Sequence, residues 1–225
     1  MSMAMPQRSA LADQTISWLR AQITSGAWPV GSKIPTEPEL VEQLNVSRNT
    51  VREAVRALAN TGLLDIRQGA GTFVLATSEL AGVMHRRFAD ANPRHVSELR
   101  AALETAAAAL AAQRRTKNDI KALNAALQRR EKAWKSDDTD RFVDADAALH
   151  LTVVAASHND VISELYADLG DVVRRFLRAD LTRGLRPEQY VDHARLVQAI
   201  RDGDAETAVA EATAHPFSWE SNWPT

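Results

Sequence analysis

The fold of this chain is decided by residues 34–74, IPTEPELVEQLNVSRNTVREAVRALANTGLLDIRQGAGTFV. Thr36 followed three residues later by Glu39 has the form of a capping box, which predicts that a helix starts there. After a tight turn, Ser47 is an N-cap residue for a second helix, which ends at Gly62. Two helices joined by so short a turn indicate a helix-turn-helix.

The second of these helices has an apolar stripe and a polar face. The stripe repeats at helical spacing, and the polar side chains gather at the N-terminal end of the helix. Two strand candidates, residues 63–67 and 72–75, follow on either side of Gly69 and Gly71, which permit positive φ and a close approach to a sugar-phosphate backbone. This pattern predicts a β-hairpin wing and therefore a winged helix-turn-helix whose second helix enters a major groove.

The polar face of the second helix carries the candidate DNA contacts. An arginine bonds O6 and N7 of guanine with two hydrogen bonds, so Arg48 or Arg52 would read base edges. Ser47, Thr50 and the helix N-terminus would hold phosphates. A solvated face is the commoner explanation for any one of these arginines taken alone, but the whole set favours DNA. The candidate DNA-binding residues are Ser47, Arg48, Asn49, Thr50, Arg52, Arg56 and Gly69.

This part of the chain resembles the GntR family of bacterial transcription regulators, whose N-terminal domain is a winged helix. The pattern of that family runs through residues 25–74 nearly without a gap. The positions that match its base- and phosphate-contacting residues are Arg48, Asn49, Thr50 and Arg52, and the wing glycine matches Gly69. Some members carry an arginine that touches DNA where this chain has Pro38, so the resemblance implies that this contact is absent here.

The composition limits what the rest of the chain can be. Its 225 residues suffice for two small domains, and the net charge of -2 requires any basic surface to be local. The absence of cysteine excludes disulfides and thiolate metal ligands. No apolar run approaches the roughly 18 residues of a membrane span, and the first residues lack the apolar core of a signal peptide, so we expect a soluble, cytoplasmic protein.

Beyond the wing the sequence is alanine-rich and helical throughout, and its short breaks favour an antiparallel bundle. The predicted fold is therefore mainly α, with an N-terminal winged helix-turn-helix and a C-terminal all-α antiparallel helical bundle. The helices are predicted at about residues 79–90, 96–114, 117–134, 138–157, 160–182, 187–202 and 204–215. The predicted domains are a disordered lead (1–9), a DNA-binding domain (10–76), a linker with the first helix (77–95) and an effector- and metal-binding helical domain (96–225).

Four side chains of the second half have the spacing of a metal site. Asp146 and His150 are four residues apart, so they share one face of a helix within reach of one ion. His193 and His215 flank Gly203, and in an antiparallel helix pair that turns there they come roughly level. Three imidazoles and one carboxylate suit zinc, nickel, manganese, iron or cobalt. Taken alone, each of these four residues is more often an ordinary surface or core side chain than a metal ligand. All four occur at this spacing by coincidence less often.

The same residues resemble the FCD ligand-binding domain of the FadR subfamily, an all-helical bundle that binds a metal ion in many members. The resemblance rests on residues 142–160, FVDADAALHLTVVAASHND, and 193–215, HARLVQAIRDGDAETAVAEATAH. Asn159 matches a turn asparagine of that family, and we interpret it as a helix cap and not as a ligand. Pro216 biases the residue before it away from α geometry, which weakens His215 as a ligand. The metal ligands that the resemblance implies are Asp146, His150, His193 and His215.

In that family the helical domain binds small organic acids. A carboxylate would occupy open positions on the metal and pair with a guanidinium, and Arg100 matches the position from which members supply one. The alternative is an i, i+4 pair between Arg100 and Glu104 on a wet face, and the two interpretations carry equal weight.

The favoured hypothesis is a metal-dependent regulator, acting as a repressor, that binds a palindromic double-stranded DNA operator as a homodimer and responds to a small carboxylate effector. One rival is a DNA-binding regulator whose metal is purely structural. The other is a helical metallohydrolase, which needs a general base besides the ligands, and the sequence contains no HExxH motif or comparable set. No catalytic residue is therefore predicted.

Overall fold

The computed structural model describes residues 10–181, 184, 185, 187 and 190–217 and, for residues 180 and 215–217, the backbone alone. The chain divides into two compact units between Arg87 and Phe88. Within the described residues the one sheet is a two-stranded antiparallel hairpin, so the predicted mainly α fold is confirmed. None of the described helices combines the length and apolar character needed to span a bilayer. The elements are α1 (Ala10–Thr24), α2 (Glu37–Leu44), α3 (Arg48–Thr61), β1 (Leu64–Arg67), β2 (Gly71–Val74), α4 (Glu79–Arg87), α5 (Pro93–Arg114), α6 (Lys117–Lys135), α7 (Thr139–Ala155), α8 (Asp160–Asp180), α9 (Ala194–Asp202) and α10 (Ala205–Phe217).

The first unit is a winged helix-turn-helix. Its helices α2 and α3 are joined by Asn45, which adopts a left-handed conformation with φ 51°. At the start of α2 the Glu39 carboxylate accepts a hydrogen bond from the Thr36 amide at 2.7 Å, as the predicted capping box requires. At the start of α3 the Ser47 hydroxyl accepts from the Thr50 amide at 3.2 Å. The buried side chains that hold α1, α2 and α3 together include Leu19, Ile23, Leu40, Val51 and Leu58.

The wing is the hairpin of β1 and β2. The strands pair in antiparallel register with Arg67 opposite Gly71. Gly69 at the tip has φ 76°, and Gly71 has φ 120°, so both predicted wing glycines adopt a conformation that other residues rarely reach. The side chain of Lys33 lies in the space that a Cβ on Gly71 would occupy. The wing therefore runs close to the segment that precedes α2.

Helix α4 packs against the end of α3 through two glycines. Gly62 ends α3 in a left-handed conformation with φ 88°. A Cβ on Gly82 of α4 would overlap the Gly62 carbonyl oxygen, so only glycine permits this approach. An ion pair of 2.8 Å between Arg20 and Glu79 also ties α4 to α1. The structure thus groups α4, which the sequence placed with the linker, with the first unit.

The second unit is a bundle of helices α5 to α10. Alanines fill much of its core, which lets α5 and α10 pack closely over most of their length. Helices α9 and α10 turn at Gly203, which has φ 81°. Asn92, Thr116 and Asn159 all act as N-caps, at the starts of α5, α6 and α8. The breaks expected there from the sequence are therefore helix starts with ordinary capping chemistry.

One predicted helix is wrong at its start. The sequence pattern placed a helix over residues 187–202, whereas α9 begins at Ala194. The side chains just before it reach other elements, because Tyr190 donates a hydrogen bond to Glu131 on α6 and His193 is buried. The Asp192 carboxylate accepts from the Ala194 amide at 2.8 Å and so starts the helix. Tertiary contacts override the helical pattern here.

Candidate functional site

The exposed side of α3 carries most of the residues that the sequence assigned to DNA. Its apolar stripe, from Val51 to Leu58, is buried in the core of the first unit. Thr50 is half-buried beside the N-cap. The exposed candidates on α3 and at its N-cap are Ser47, Arg48, Asn49, Arg52 and Arg56. A helix whose N-terminal turn offers free amides and arginines to solvent has the geometry to contact a phosphate backbone and base edges together.

Arg52 is held by a carboxylate that the sequence analysis did not assign. Its Nε and one terminal nitrogen donate to Oε2 of Glu37, at 3.3 and 3.2 Å. Glu37 is the first residue of α2, so the bond crosses from one helix of the motif to the other. The side chain of Arg52 nevertheless stays 49% exposed. Fifteen residues separate the two side chains, and the sequence offers no periodicity that would have paired them.

The tip of the wing is open. Gly69 is exposed, and a Cβ added to it would meet nothing within 4 Å. Arg67, the last residue of β1, is also exposed. Its guanidinium lies 4.4 Å from the centre of the Phe73 ring and pairs with Asp65 at 2.8 Å. The wing therefore presents a bare backbone and a cation to solvent, although Arg67 was not among the predicted contacts.

Three of the four predicted metal ligands meet in the interior of the second unit. Asp146, His150 and His193 are all buried, and one potential ligand atom from each lies within 4.8 Å of the others. Asp146 and His150 share one face of α7, while His193 is the N-cap residue of α9. The two imidazole rings are nearly perpendicular, and their Nε2 atoms are 3.0 Å apart. We call these three residues the ion cluster.

The hydrogen bonds of the ion cluster fit a cation. Nδ1 of His193 bonds the Val191 carbonyl oxygen at 2.9 Å, and Nδ1 of His150 bonds the Glu104 carboxylate at 3.0 Å. Both Nδ1 atoms thus face acceptors, so the neutral form of each ring would present an Nε2 lone pair to the other. Oδ2 of Asp146 is buried without a hydrogen-bond partner among the described residues. A proton would satisfy the two nitrogens, whereas a metal ion would satisfy all three atoms.

The donor set also suits the transition metals expected from the sequence. Two imidazoles and one carboxylate are ligands of zinc, nickel, manganese, iron and cobalt. The partners on the far side of each ring, a carboxylate and a backbone carbonyl, are those that orient histidine ligands in metal sites. The side chain of His215 lies outside the described residues, although α10 runs through this position to Phe217, so the backbone is helical despite Pro216.

Two arginines surround the carboxylates beside the ion cluster. Nε of Arg100 donates to Glu104 Oε1 at 2.6 Å, and a terminal nitrogen of Arg100 lies 3.6 Å from Oδ2 of Asp146. Nε of Arg130 donates to Oδ1 of Asp146 at 2.7 Å. The hydroxyl of Tyr166 donates to Glu104 as well. Each carboxylate is therefore bound by at least one guanidinium, in the way that buried charges require.

This environment keeps both carboxylates charged. Burial alone would raise the pKa of Glu104, but Arg100 and His150 outweigh it and hold the pKa well below its usual range. Burial is likewise overcome at Asp146, where His150, Arg130 and Arg100 lower the pKa. Burial and the neighbouring Glu104 raise the pKa of Tyr166 well above its usual value, so this phenol stays neutral and can donate.

The position of Arg100 combines the two interpretations that the sequence left open. The i, i+4 pair with Glu104 is present, but it is buried and not on a wet face as that interpretation assumed. The same guanidinium lies beside the ion cluster, where the effector interpretation had placed it. Spacing alone could not distinguish these settings, because an i, i+4 pair has the same sequence signature on either face of a helix.

Arg130 was not among the site residues predicted from the sequence. It sits in a charged segment, QRREK, where a surface position is the usual expectation, yet its side chain is fully buried. Its guanidinium lies 5.0 Å from the centre of the Phe142 ring, and 5.8 Å from that of Tyr190. Burial and a hydrogen bond to Glu131 raise the pKa of Tyr190 to about 12. The available signal was helical spacing, which puts Arg130 in line with the buried Leu123, Ala126 and Ala133.

Comparison with known proteins assigns both units. Residues 11–74 match the family described as bacterial regulatory proteins, gntR family, and residues 95–216 match the FCD domain. The Uxu operon regulator of Haemophilus influenzae is 33% identical to this chain over 198 residues, which cover 84% of the chain and 73% of that protein. The galactonate operon transcriptional repressor of Escherichia coli is 31% identical over 208 residues, covering 86% and 89%.

A solved structure agrees with these relatives. The GntR protein of Streptococcus agalactiae aligns with a TM-score of 0.54 and 27% identity, covering 93% of this chain and 99% of that one. The likeness spans both the winged helix-turn-helix and the helical bundle. It concerns the fold and the family.

Proposed function

This chain belongs to the gntR family of bacterial regulatory proteins with an FCD domain, and we propose that a small carboxylate bound at the ion cluster controls how tightly it holds its operator. Its function as a DNA-binding transcription regulator follows from the family. The family and its relatives are regulators and not enzymes, so the metallohydrolase is set aside. The metal, the effector, the repressing action, the homodimer and membership of the FadR subfamily belong to the proposal.

The DNA contacts we propose lie on α3 and on the wing. Arg48 and Arg52 would bond base edges in the major groove, while Ser47, Asn49, Thr50 and Arg56 contact the backbone. Gly69 would let the wing approach a phosphate closely. One recognition helix covers only a few base pairs, so a homodimer on a two-fold symmetric operator provides the two half-sites that specific binding needs.

The proposed effector site is the ion cluster together with Arg100. Asp146, His150 and His193, with His215 as a further candidate, would hold a divalent ion of zinc, nickel, manganese, iron or cobalt. Such an ion supplies a Lewis-acidic centre for a carboxylate oxygen. Arg100 would pair with the same carboxylate from the side of α5. The E. coli relative is named for galactonate, a carboxylic acid, which makes sugar acids the first class to test.

One observation carries this proposal. Oδ2 of Asp146 and the two Nε2 atoms point at each other in the interior, and the carboxyl oxygen has no hydrogen-bond partner among the described residues. Buried polar atoms without partners are rare and mark a missing ligand or a functional group. The effector would then shift the balance between operator-binding and released forms by its different affinity for the two. Repression follows the name of the galactonate relative.

The test is a fluorescence-anisotropy titration with DNA from the region upstream of the gene itself, and with scrambled DNA as control. We expect sequence-preferring affinity that falls steeply with salt. Galactonate and other small carboxylates are then added with and without EDTA. A change in affinity that EDTA abolishes supports a sensing metal site. If no acid alters operator binding, the metal is structural and the rival regulator is correct.

A further inference from the structure

Arg130 is an unusual neighbour for a metal ligand. Its side chain is fully buried, and its Nε donates to Oδ1 of Asp146 at 2.7 Å. One of its terminal nitrogens has no hydrogen-bond partner among the residues that the structure describes. The other terminal nitrogen reaches Glu131 at 3.3 Å. Asp146 therefore has its Oδ2 oxygen available to an ion while its Oδ1 oxygen is paired with a cation.

The buried charges are balanced before any metal is added. Arg100 and Arg130 provide two positive charges, and Glu104 and Asp146 provide two negative charges, all of them buried. A divalent ion held by neutral imidazoles would add two further positive charges. Glu131 offsets at most one of them, because it is 29% exposed and shared with the Tyr190 hydroxyl. Uncompensated charge in a protein interior is costly, so a site that holds the divalent ion would need an additional anion to balance its charge.

We propose that Arg130 makes metal binding and carboxylate binding depend on each other in this domain. The ion is held tightly only together with an anion, since the two arginines leave no free carboxylate to neutralise it. By thermodynamic reciprocity, the acid is bound tightly only when the ion is present. This inference rests on the metal and carboxylate site proposed above and specifies how that site is regulated. A regulator built in this way would report the acid and the metal jointly.

The experiment uses the full chain, stripped with EDTA and dialysed into chloride-free buffer. Nickel is titrated in competition with a chelating dye, without carboxylate and with galactonate or acetate, and the dye alone is titrated with each acid to correct for nickel bound in solution. We expect an acid to tighten nickel binding within the usual range of coupling, about 5- to 150-fold. Chloride at the same concentration serves as a further arm and is expected to act more weakly than a carboxylate.

Three variants test whether the charge of Arg130 causes this dependence. Arg130→Met removes the charge and keeps the length, so nickel should bind more tightly without acid, and the gain from acid should shrink to about 3-fold or less. Arg130→Lys keeps the charge and should keep the dependence. Arg129→Met removes an exposed neighbouring charge and should behave as the unaltered chain. Circular dichroism and thermal melts establish that each variant is folded.

The outcomes distinguish failure of the proposed role of Arg130 from failure of the proposed metal site. If Arg130→Met shows the same dependence on acid as the unaltered chain, Arg130 does not couple the two ligands. If Arg130→Met fails to fold, the result for a folded Arg130→Lys decides, and loss of the dependence there overturns the inference. Equal nickel affinity with and without every acid overturns it too, while leaving the metal site intact. Absence of nickel binding overturns both the inference and the metal site itself.

Discussion

The arginines of α3 and those beside the ion cluster are one residue type in two environments, the first exposed to solvent and the second buried. Arg52 is half exposed and bonds a carboxylate that is itself 38% exposed, whereas Arg130 is completely buried and bonds a carboxylate that is buried as well. An exposed ion pair contributes little to stability, so Arg52 can exchange Glu37 for DNA at small cost. A buried pair cannot be separated without leaving an unpaired charge in the interior. One setting suits a contact that is made and broken, and the other suits a fixed scaffold.

The largest expected effect is on the buried side of this comparison. Asp146→Ala leaves Arg100 and Arg130 without a carboxylate that both of them face, and should lower the free energy of unfolding by about 3–5 kcal/mol. Urea denaturation in the presence of EDTA measures this without a contribution from metal. Asp144→Ala is the control, because Asp144 is 63% exposed and pairs with Arg174 and Arg178, and it should cost less than about 1 kcal/mol. Equal losses of unfolding free energy in the two variants would show that burial does not make the ion pairs of Asp146 more important for stability than those of Asp144.

The next effect concerns metal affinity. His193→Ala removes a candidate ligand, and since even the outer partners of a ligand contribute 10- to 100-fold, affinity should fall by at least about 100-fold. Equilibrium dialysis followed by elemental analysis provides the measurement. His158→Ala is the matched control, because this histidine is 47% exposed and bonds Asp119 outside the ion cluster. Full metal occupancy in His193→Ala would remove that residue from the site.

The third effect lies on the exposed side. Arg52→Ala should weaken operator binding by about 1–3 kcal/mol, as loss of an arginine contact to guanine does, while changing stability by less than about 1 kcal/mol. Anisotropy titration and urea denaturation measure the two quantities separately. Arg20→Ala provides a control with similar exposure and a carboxylate partner, Glu79, and should bind the operator normally. An Arg52 variant that binds as well as the unaltered chain would refute the assignment of base reading.

The smallest expected effect is on stability and measures what the N-cap of α3 contributes. Ser47→Ala removes the N-cap of α3 and should cost about 1 kcal/mol of stability. Ser32→Ala serves as control, because its hydroxyl bonds the Pro29 carbonyl in a connecting segment and caps no α-helix. Thermal melts of both variants provide the measurement. A Ser47 variant as stable as the Ser32 variant would mean that packing of the apolar stripe alone fixes the start of α3.

The first unit could be predicted almost residue by residue because its signals are local. The Thr36 and Glu39 pair, the Ser47 cap and the positive φ of Gly69 each depend on neighbours within three residues. The pairing of Glu37 with Arg52 was not predicted, because it joins two helices whose relative position the sequence does not specify. Local chemistry thus determines the elements, and tertiary packing determines which charges meet.

The second unit was predicted less completely for the same reason. Spacing placed Asp146 and His150 on one face of α7, but Tyr166 and Glu104 meet across 62 residues of sequence. The burial of Arg130 goes against the usual behaviour of arginine and follows only from its place on the inner face of α6. The roles of these site residues remain predictions. Of the residues that meet there, only Asp146, His150, His193 and Arg100 were expected from the sequence to lie together.

The bond between Glu37 and Arg52 also bears on how fast the regulator searches along DNA. If Arg52 reads a base as proposed, then on a sequence without a suitable guanine it would keep the Glu37 carboxylate, which would bring a negative charge close to the phosphates. Non-specific binding depends almost entirely on phosphate neutralisation, so this charge would shorten the time spent at each wrong site. At the operator a base edge would replace the carboxylate, and the dwell time would lengthen. A single glutamate at the start of α2 would thereby widen the difference between the time spent at wrong sites and the time spent at the operator.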